Sequence, residues 1–330
     1  MAAAKKTAMT KKSSGKRSKS TKKSIPAVRY LRYELTNSSN AGTETSHFID
    51  LARDLSRVNR RLLRQGRDYH VKRITVVSAN TPNAGDSGTP NNNRVSFSTM
   101  PNSWVTQMAW KRGFQLMKQM NARAMQGLSG DISGKYSDYK IYLSHDMATG
   151  TILAPKDNGG NFAVNGEWTY SKFVTPDGTT GADEFELHML GNHSGGAGAR
   201  THVGLVKSYG ESRLTVDQDS PNATPIVTGD PLANLFDDGT VYDEIMNNLK
   251  ADNDNSPYSA NNYPGDDGNM PKPIVVQDTT IVDGRATVGG FMARCGLIEI
   301  ESKSPIASDV YSVLVELAPG SYRGIKADVI

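Results

Sequence analysis

The chain has 330 residues, with 38 Lys and Arg against 34 Asp and Glu, and a formal net charge of +4. A lone cysteine, Cys295, excludes an intramolecular disulfide framework and favours a reducing compartment or a fold that needs no staple. No run approaches the ~18 apolar residues of a membrane helix, and the basic N-terminus lacks the apolar stretch of a secretory signal.

The charge is concentrated at one end. Of the first 33 residues eleven are basic and none acidic: Lys5, Lys6, Lys11, Lys12, Lys16, Arg17, Lys19, Lys22, Lys23, Arg29 and Arg32. Up to Ser24 there is no Leu, Ile, Val, Phe, Tyr or Trp, so burial cannot offset the entropy of ordering the segment. Residues 1–27 are therefore expected to be a disordered basic arm that seeks a polyanion. Taking eleven charges from +4 leaves −7 on residues 34–330, a mildly acidic body.

Residues 28–37 alternate, Leu31, Tyr33 and Leu35 on one face and Tyr30, Arg32 and Glu34 on the other, which predicts a half-buried strand. A helix is predicted from a cap at Thr45 or Ser46 to about Gln65, with Phe48, Leu51, Leu55, Val58 and Leu62 as its apolar stripe. Its other side carries Arg53, Arg57, Arg60, Arg61, Arg64 and Arg67 against Asp50, Asp54 and Asp68. Such a face is ordinarily just solvated; behind a cationic arm, Arg57, Arg60, Arg61 and Arg64 could extend the polyanion surface. Strands are predicted over 69–78 and 94–99, then a second helix capped by Ser103 and ending near Gly127, with Gly113 as a weak point.

From residue 139 the pattern is almost wholly β, with strands predicted at 139–144, 166–174, 184–190, 201–209, 273–282, 286–301 and 309–317. Strand follows strand without intervening helices, which predicts an antiparallel sandwich or barrel. A polar stretch at about 217–272, with one helix at 241–249 capped by Thr240, reads as a surface insertion and the candidate outward-facing, receptor-contacting segment.

Catalytic signatures are missing: there is no GxGxxG after a strand, no P-loop, no GxSxG and no HExxH. His188, on the polar face of its strand with Glu184 and Glu186, and His193 beyond it do not have the spacing of a metal site. As an EF-hand the acidic loop after Ala251 fails, since the sixth position is Pro257 and the twelfth Tyr263. A looser calcium site using Asp252, Asp254, Asp266 and Asp267 is the metal alternative.

Three stretches carry a resemblance: the arm KKSSGKRSKSTKK, the helix-forming WVTQMAWKRGFQLMKQMN, and the C-terminal VGGFMARCGLIEIES with DVYSVLVELAPGSYRGIKADVI. They resemble coat proteins of small icosahedral viruses, most of all those of circular single-stranded DNA viruses. The resemblance implies a mainly β fold, an antiparallel single jelly-roll β-sandwich spanning 28–330 with two helices in its connections. It further implies self-assembly into a virion shell and packaging of single-stranded DNA, or else RNA, by the arm. Assembly in the host nucleus would use the arm as a localisation signal as well. Neither cofactor, catalytic group nor membrane is implied. Shells of roughly 60 or roughly 180 copies would bring roughly 660 or roughly 2,000 arm charges, and a genome on the order of 2,000 nucleotides favours the larger. Two other classes remain open at this point: a nucleic-acid-binding protein that forms no shell, and a β-sandwich carbohydrate-active enzyme with a basic targeting tail.

Overall fold

The computed structural model describes residues 26–78, 93–126, 136–157, 159, 166–176, 182–196, 199–213, 273–281 and 284–330. Most of the arm, the 217–272 insertion, the predicted helix at 241–249 and Asp252, Asp254, Asp266 and Asp267 lie outside the described residues.

The chain begins with β1 (Tyr30–Thr36), β2 (Glu44–Asp50), helix α1 (Leu51–Asn59), β3 (Arg67–Ser78) and β4 (Arg94–Thr99). Helix α2 (Trp104–Gln126) leads to β5 (Tyr142–Ser144) and the short helix α3 (His145–Thr149). Strands β6 (Lys172–Pro176), β7 (Ala182–Leu190), β8 (Ser194–Gly196) and β9 (Ala199–Gly204) precede helix α4 (Leu205–Arg213). The chain returns as β10 (Ile274–Thr280), β11 (Arg285–Val288), β12 (Phe291–Ala293), β13 (Leu297–Lys303) and β14 (Val310–Leu317). Three short strands close it: β15 (Pro319–Gly320), β16 (Gly324–Ile325) and β17 (Ala327–Val329).

The protein is mainly β, and its body is two antiparallel sheets. One runs β1-β14-β3-β11, with β12 and β17 also paired to β3; the other runs β10-β4-β13-β2. Across both sheets the outermost strands in sequence find each other, β1 with β14 and β2 with β13, and the innermost do likewise, β3 with β11 and β4 with β10. Leu31, Tyr33 and Leu35 of β1 point inward, as the alternation predicts, and pack with Ile74, Val76, Val313 and Val315 against Ile49, Phe97, Ile298 and Ile300. On the reverse face of the second sheet, Phe48 and Leu297 join Val105, Ala109, Trp110, Leu143, Met147, Leu187 and Met189 in a second core. The described parts of the segment between β4 and β10 thus form a third layer.

Residues 151–156 strap two open edges. Leu153 N–H donates to Phe48 O at 2.8 Å along β2, and Lys156 N–H to Arg32 O at 2.8 Å along β1. Capping an edge removes a template for unwanted strand pairing.

Four local readings are corrected. Residues 44–50 are strand β2, not helix, because β13 offers them a full antiparallel register from Asp50 opposite Leu297 to Glu44 opposite Lys303. The helix starts only where Asp50 caps it, accepting from Arg53 N–H at 3.0 Å, and stops at Asn59 because Arg60 turns left-handed at φ 52°. The predicted strand at 201–209 becomes helix α4 after Gly204, and that at 286–301 is broken by a turn at Arg294–Gly296 with Cys295 at φ 57°. Burial pushes the Cys295 thiol well up, so it stays protonated. Finally, the five-stranded third sheet is mixed: β7 pairs parallel with β5 and β9 and antiparallel with β6.

His188 is not on an open polar face. It is buried, its Nδ1 lying 2.7 Å from Leu190 O, beneath His145 and His202, whose rings stack at 4.6 Å. Burial depresses His188 to about 4, so the ring is neutral at physiological pH.

Gly113, a weak point by helix propensity, has a packing reason. A Cβ there would meet the Tyr139 hydroxyl at 2.2 Å and a Leu205 methyl at 3.0 Å. Ala is favoured over Gly in a helix by about 1 kcal/mol, but overpacking a core costs about 1–3 kcal/mol. Gly113→Ala is therefore expected to lower stability by up to about 2 kcal/mol in chemical denaturation, against the propensity trend.

Glu299 on β13 is buried under the third layer, and burial first, then repulsion from Glu301, pushes it up to about 7. A carboxyl raised above its unfolded value favours folding while protonated, so this group costs stability as pH rises from about 4.5 to 7. Glu299→Gln should stabilise the fold at pH 8 by up to about 3 kcal/mol and leave it unchanged at pH 4. Urea titrations at the two pH values would check both halves.

Candidate nucleic-acid interface

Helix α1 ends in a tight turn built by Ser56. Its hydroxyl donates to Ala52 O at 2.6 Å and accepts from Leu63 N–H at 2.7 Å, while its carbonyl takes Arg61 N–H at 3.2 Å. Leu63 is buried and anchors the turn, so the arginines on either side splay outward. Arg57, Arg60, Arg61 and Arg64 line one side of an open cleft of about 1460 Å³. The facing wall is Tyr136, Ser137, Asp138, Lys140 and residues 166–172, α2 contributes Met117, Met120 and Asn121, and Arg323 arrives from the C-terminal turn.

Seven cations line this cleft, the five arginines with Lys140 and Lys172, against two carboxylates, Asp138 and Glu167. Arg64 is paired with Asp138 at 2.7 Å, and Arg57 lies 3.9 Å from the buried Asp54. Burial lifts Asp54 to about 6 even though Arg53 donates to it at 2.8 Å. The side chains of Arg60 and Arg61 are exposed and have no hydrogen-bond or ion-pair partner among the described residues. They are ready donors for an anion, and guanidinium suits phosphate.

The two walls are tied together by Asp50. Its carboxylate accepts from Arg53 N–H, Gln65 Nε2 at 3.2 Å, Trp168 Nε1 at 3.1 Å and Tyr170 Oη at 3.2 Å. Gln65 in turn accepts from Ile141 N–H at 2.6 Å and donates to Ile141 O at 2.9 Å. Lys140 lies against the wall with its ammonium 4.7 Å over the Trp168 ring, its pKa lowered by burial.

The root of the basic arm sits at the rim. Asn59, the last residue of α1, accepts from Val28 N–H at 2.8 Å and donates to Val28 O at 3.1 Å. Arg29 O is held by Leu317 N–H at 2.9 Å. The chain that carries Lys5, Lys6, Lys11, Lys12, Lys16, Arg17, Lys19, Lys22 and Lys23 therefore joins the body beside Arg60 and Arg61.

Of the arginines expected on one helical face, four meet in the cleft and two do not. Arg53 turns inward to Asp54 and Leu153 O, and Arg67 stacks on Tyr322 at 3.7 Å. Sequence reasoning missed Arg323, Lys140, Lys172 and Trp168, which reach the site from distant segments with no shared periodicity. Among the described residues no group of three or more His, Cys, Asp or Glu is arranged to hold a metal, and no helix is long and apolar enough to cross a membrane.

Removing the Asp50 carboxylate would leave two buried donors, Gln65 and Tyr170, and the Trp168 indole without their acceptor. Each such loss costs about 1–3 kcal/mol. Asp50→Ala is expected to destabilise the protein by about 3 kcal/mol or more, read by urea unfolding followed through tryptophan fluorescence.

In comparison with known proteins, no family model, no curated protein and no solved structure matches the chain.

Proposed function

We propose that this chain is a jelly-roll coat protein that assembles into a closed icosahedral shell and holds a single-stranded genome through its basic arm and the cleft beside it. The observation that carries the reading is the strand pairing. Numbering the eight body strands in order (β1, β2, β3, β4, β10, β11, β13, β14), first pairs with eighth, second with seventh, third with sixth and fourth with fifth. That nesting is what a hairpin folded over on itself would give, and it supports reading the body as a jelly roll, an architecture shared by viral shells, lectins and cupins.

Charge selects among those. An acidic body with a cationic arm rooted at a cationic cleft puts the attraction for phosphate on one rim, which suits a wall with a genome on one side. The strapped edges of β1 and β2 suit a subunit that must not aggregate through its sheets. The carbohydrate-enzyme alternative fits less well. Such catalysis uses a pair of carboxyls flanking the bond it breaks, whereas the two in the cleft, Asp138 and Glu167, stand among seven cations and Asp138 is ion-paired to Arg64.

The test is electron microscopy of the purified full chain together with an absorbance ratio for bound nucleic acid. Uniform closed particles carrying nucleic acid are expected, and deletion of residues 1–25 should give particles that package little of it. Small oligomers alone, across salt, pH and added nucleic acid, would overturn the reading in favour of a non-assembling binder.

A further inference from the structure

We infer that the contact of His145, His188 and His202 is an acid-sensitive latch. Uncharged, the three rings hold helix α3 and the start of the 151–156 strap on the third sheet; charged, they release both. Such a latch works in a single chain and does not depend on the coat-protein reading.

Three elements bring the rings together: α3 supplies His145, β7 His188 and β9 His202. Ring centroids lie 4.6 Å apart for His145 and His202, 6.2 Å for His145 and His188, and 6.4 Å for His188 and His202. His188 is poorly placed to take a charge. Because Leu190 O can only accept, the Nδ1 of His188, 2.7 Å away, carries the hydrogen of the neutral ring. Acid must therefore add its proton at Nε2, which is buried with no hydrogen-bond partner among the described residues. A charged donor there has nothing to donate to, a costly state. Backbone closes against the ring as well: a Cβ on Gly204 would come 2.1 Å from Gly191 O and 3.2 Å from His188 Cε1. That leaves little room for water.

Counter-charge is short. Glu186 of β7 lies 3.5 Å from His202 Nε2 and is also hydrogen-bonded to Tyr142 of β5. His193, just before β8, has its own carboxylate: its Nε2 is 3.0 Å from Glu211 of α4, which Lys207 approaches at 3.7 Å. Arg200 of β9 turns to Gly195 O at 2.8 Å, while Asp146, beside His145, is exposed and repels Glu299 of β13. One carboxylate offsets one imidazolium, so further charge on the three rings goes unanswered.

Burial depresses both His188, to about 4, and His202. A base held below its unfolded value stabilises the fold while neutral, so its contribution is complete above about 6.5 and is lost as pH falls toward about 4. Glu299 titrates in the opposite sense, so local opening, not global stability, is the quantity to read. The strap starts two residues after α3, where Thr151 O accepts from Phe48 N–H at 3.0 Å and Leu153 N–H donates to Phe48 O at 2.8 Å. Its release bares that stretch of the β2 edge to another strand.

The experiment is amide hydrogen exchange of the full chain at about pH 7.5 and about pH 5, read on peptides spanning 145–156 and corrected for the intrinsic pH dependence. Protection there is expected to fall about tenfold or more on acidification, while β1, β3 and β14 keep theirs. EDTA should change nothing. His188→Asn with His202→Gln removes both depressed bases, Asn keeping a donor for Leu190 O, and should hold the change within about twofold. His202→Gln alone, at a half-buried position, should move the midpoint of the fall to lower pH, a readout that stands even if the double variant misfolds. No fall in the parent, the same midpoint in every variant, or protection lost evenly over β1, β3 and β14 would each overturn the inference. So would a fall that EDTA alters, since the rings would then be holding a metal ion.

Discussion

Much of the structure depends on the buried carboxylate of Asp50. It terminates β2, caps α1, and gathers Gln65, Trp168 and Tyr170 from segments far apart in the chain. A charge removed from water is tolerable only when its lone pairs are fully used, and here four donors use them. Burial raises its pKa, while the Arg53 guanidinium and the same hydrogen bonds pull it back. The consequence is geometric. The strand-to-helix junction that aims the arginine turn and the 166–172 wall that faces it are referred to one anchor, which makes the cleft a defined shape rather than two loose loops.

Around that anchor the body solves a problem of long-range pairing. Its strands bond partners at opposite ends of the sequence, so their hydrogen bonds form only after very large loops close, a costly and slow route. Such a sandwich exposes edges, and the 151–156 strap covers two of them by extending β2 and β1. The third layer does a second job: it buries Phe48 and Leu297, which would otherwise be apolar residues on an open sheet face. The close approaches this requires explain the glycines. Gly66 leaves room for the Trp110 ring, 2.6 Å from where a Cβ would be, as Gly113 does for Tyr139.

Electrostatics divides the molecule in a consistent way. Buried arginines are satisfied locally, Arg53 by Asp54 and Arg294 by Asp68 and Asn102. Arg60 and Arg61, unpaired among the described residues, sit at the surface beside the root of the arm. Pairing is the condition for burying a guanidinium, so the unpaired ones mark where an external anion gains most.

The sequence by itself determined what local physics controls. Alternation in Leu31, Tyr33 and Leu35 set the buried face of β1, Ser103 opened α2, with Thr106 N–H 3.3 Å from its hydroxyl, and the eleven basic residues set the cationic character of the N-terminal segment. It also named four cleft arginines, because they cluster within one short stretch. Tertiary structure decided the rest. Phe48, Leu51 and Leu55 satisfy helical spacing, yet residues 44–50 are a strand because β13 supplies a hydrogen-bonding partner across a separation no local window contains. His188 fits a polar alternation, yet is buried because His145 and His202 fold over it. Lys140, Trp168 and Arg323 join the arginines only through the Asp50 anchor and the return of the C-terminal turn. Periodicity encodes which way a residue faces; which surface it then meets depends on contacts between distant segments, and those exist only once the sheets have closed.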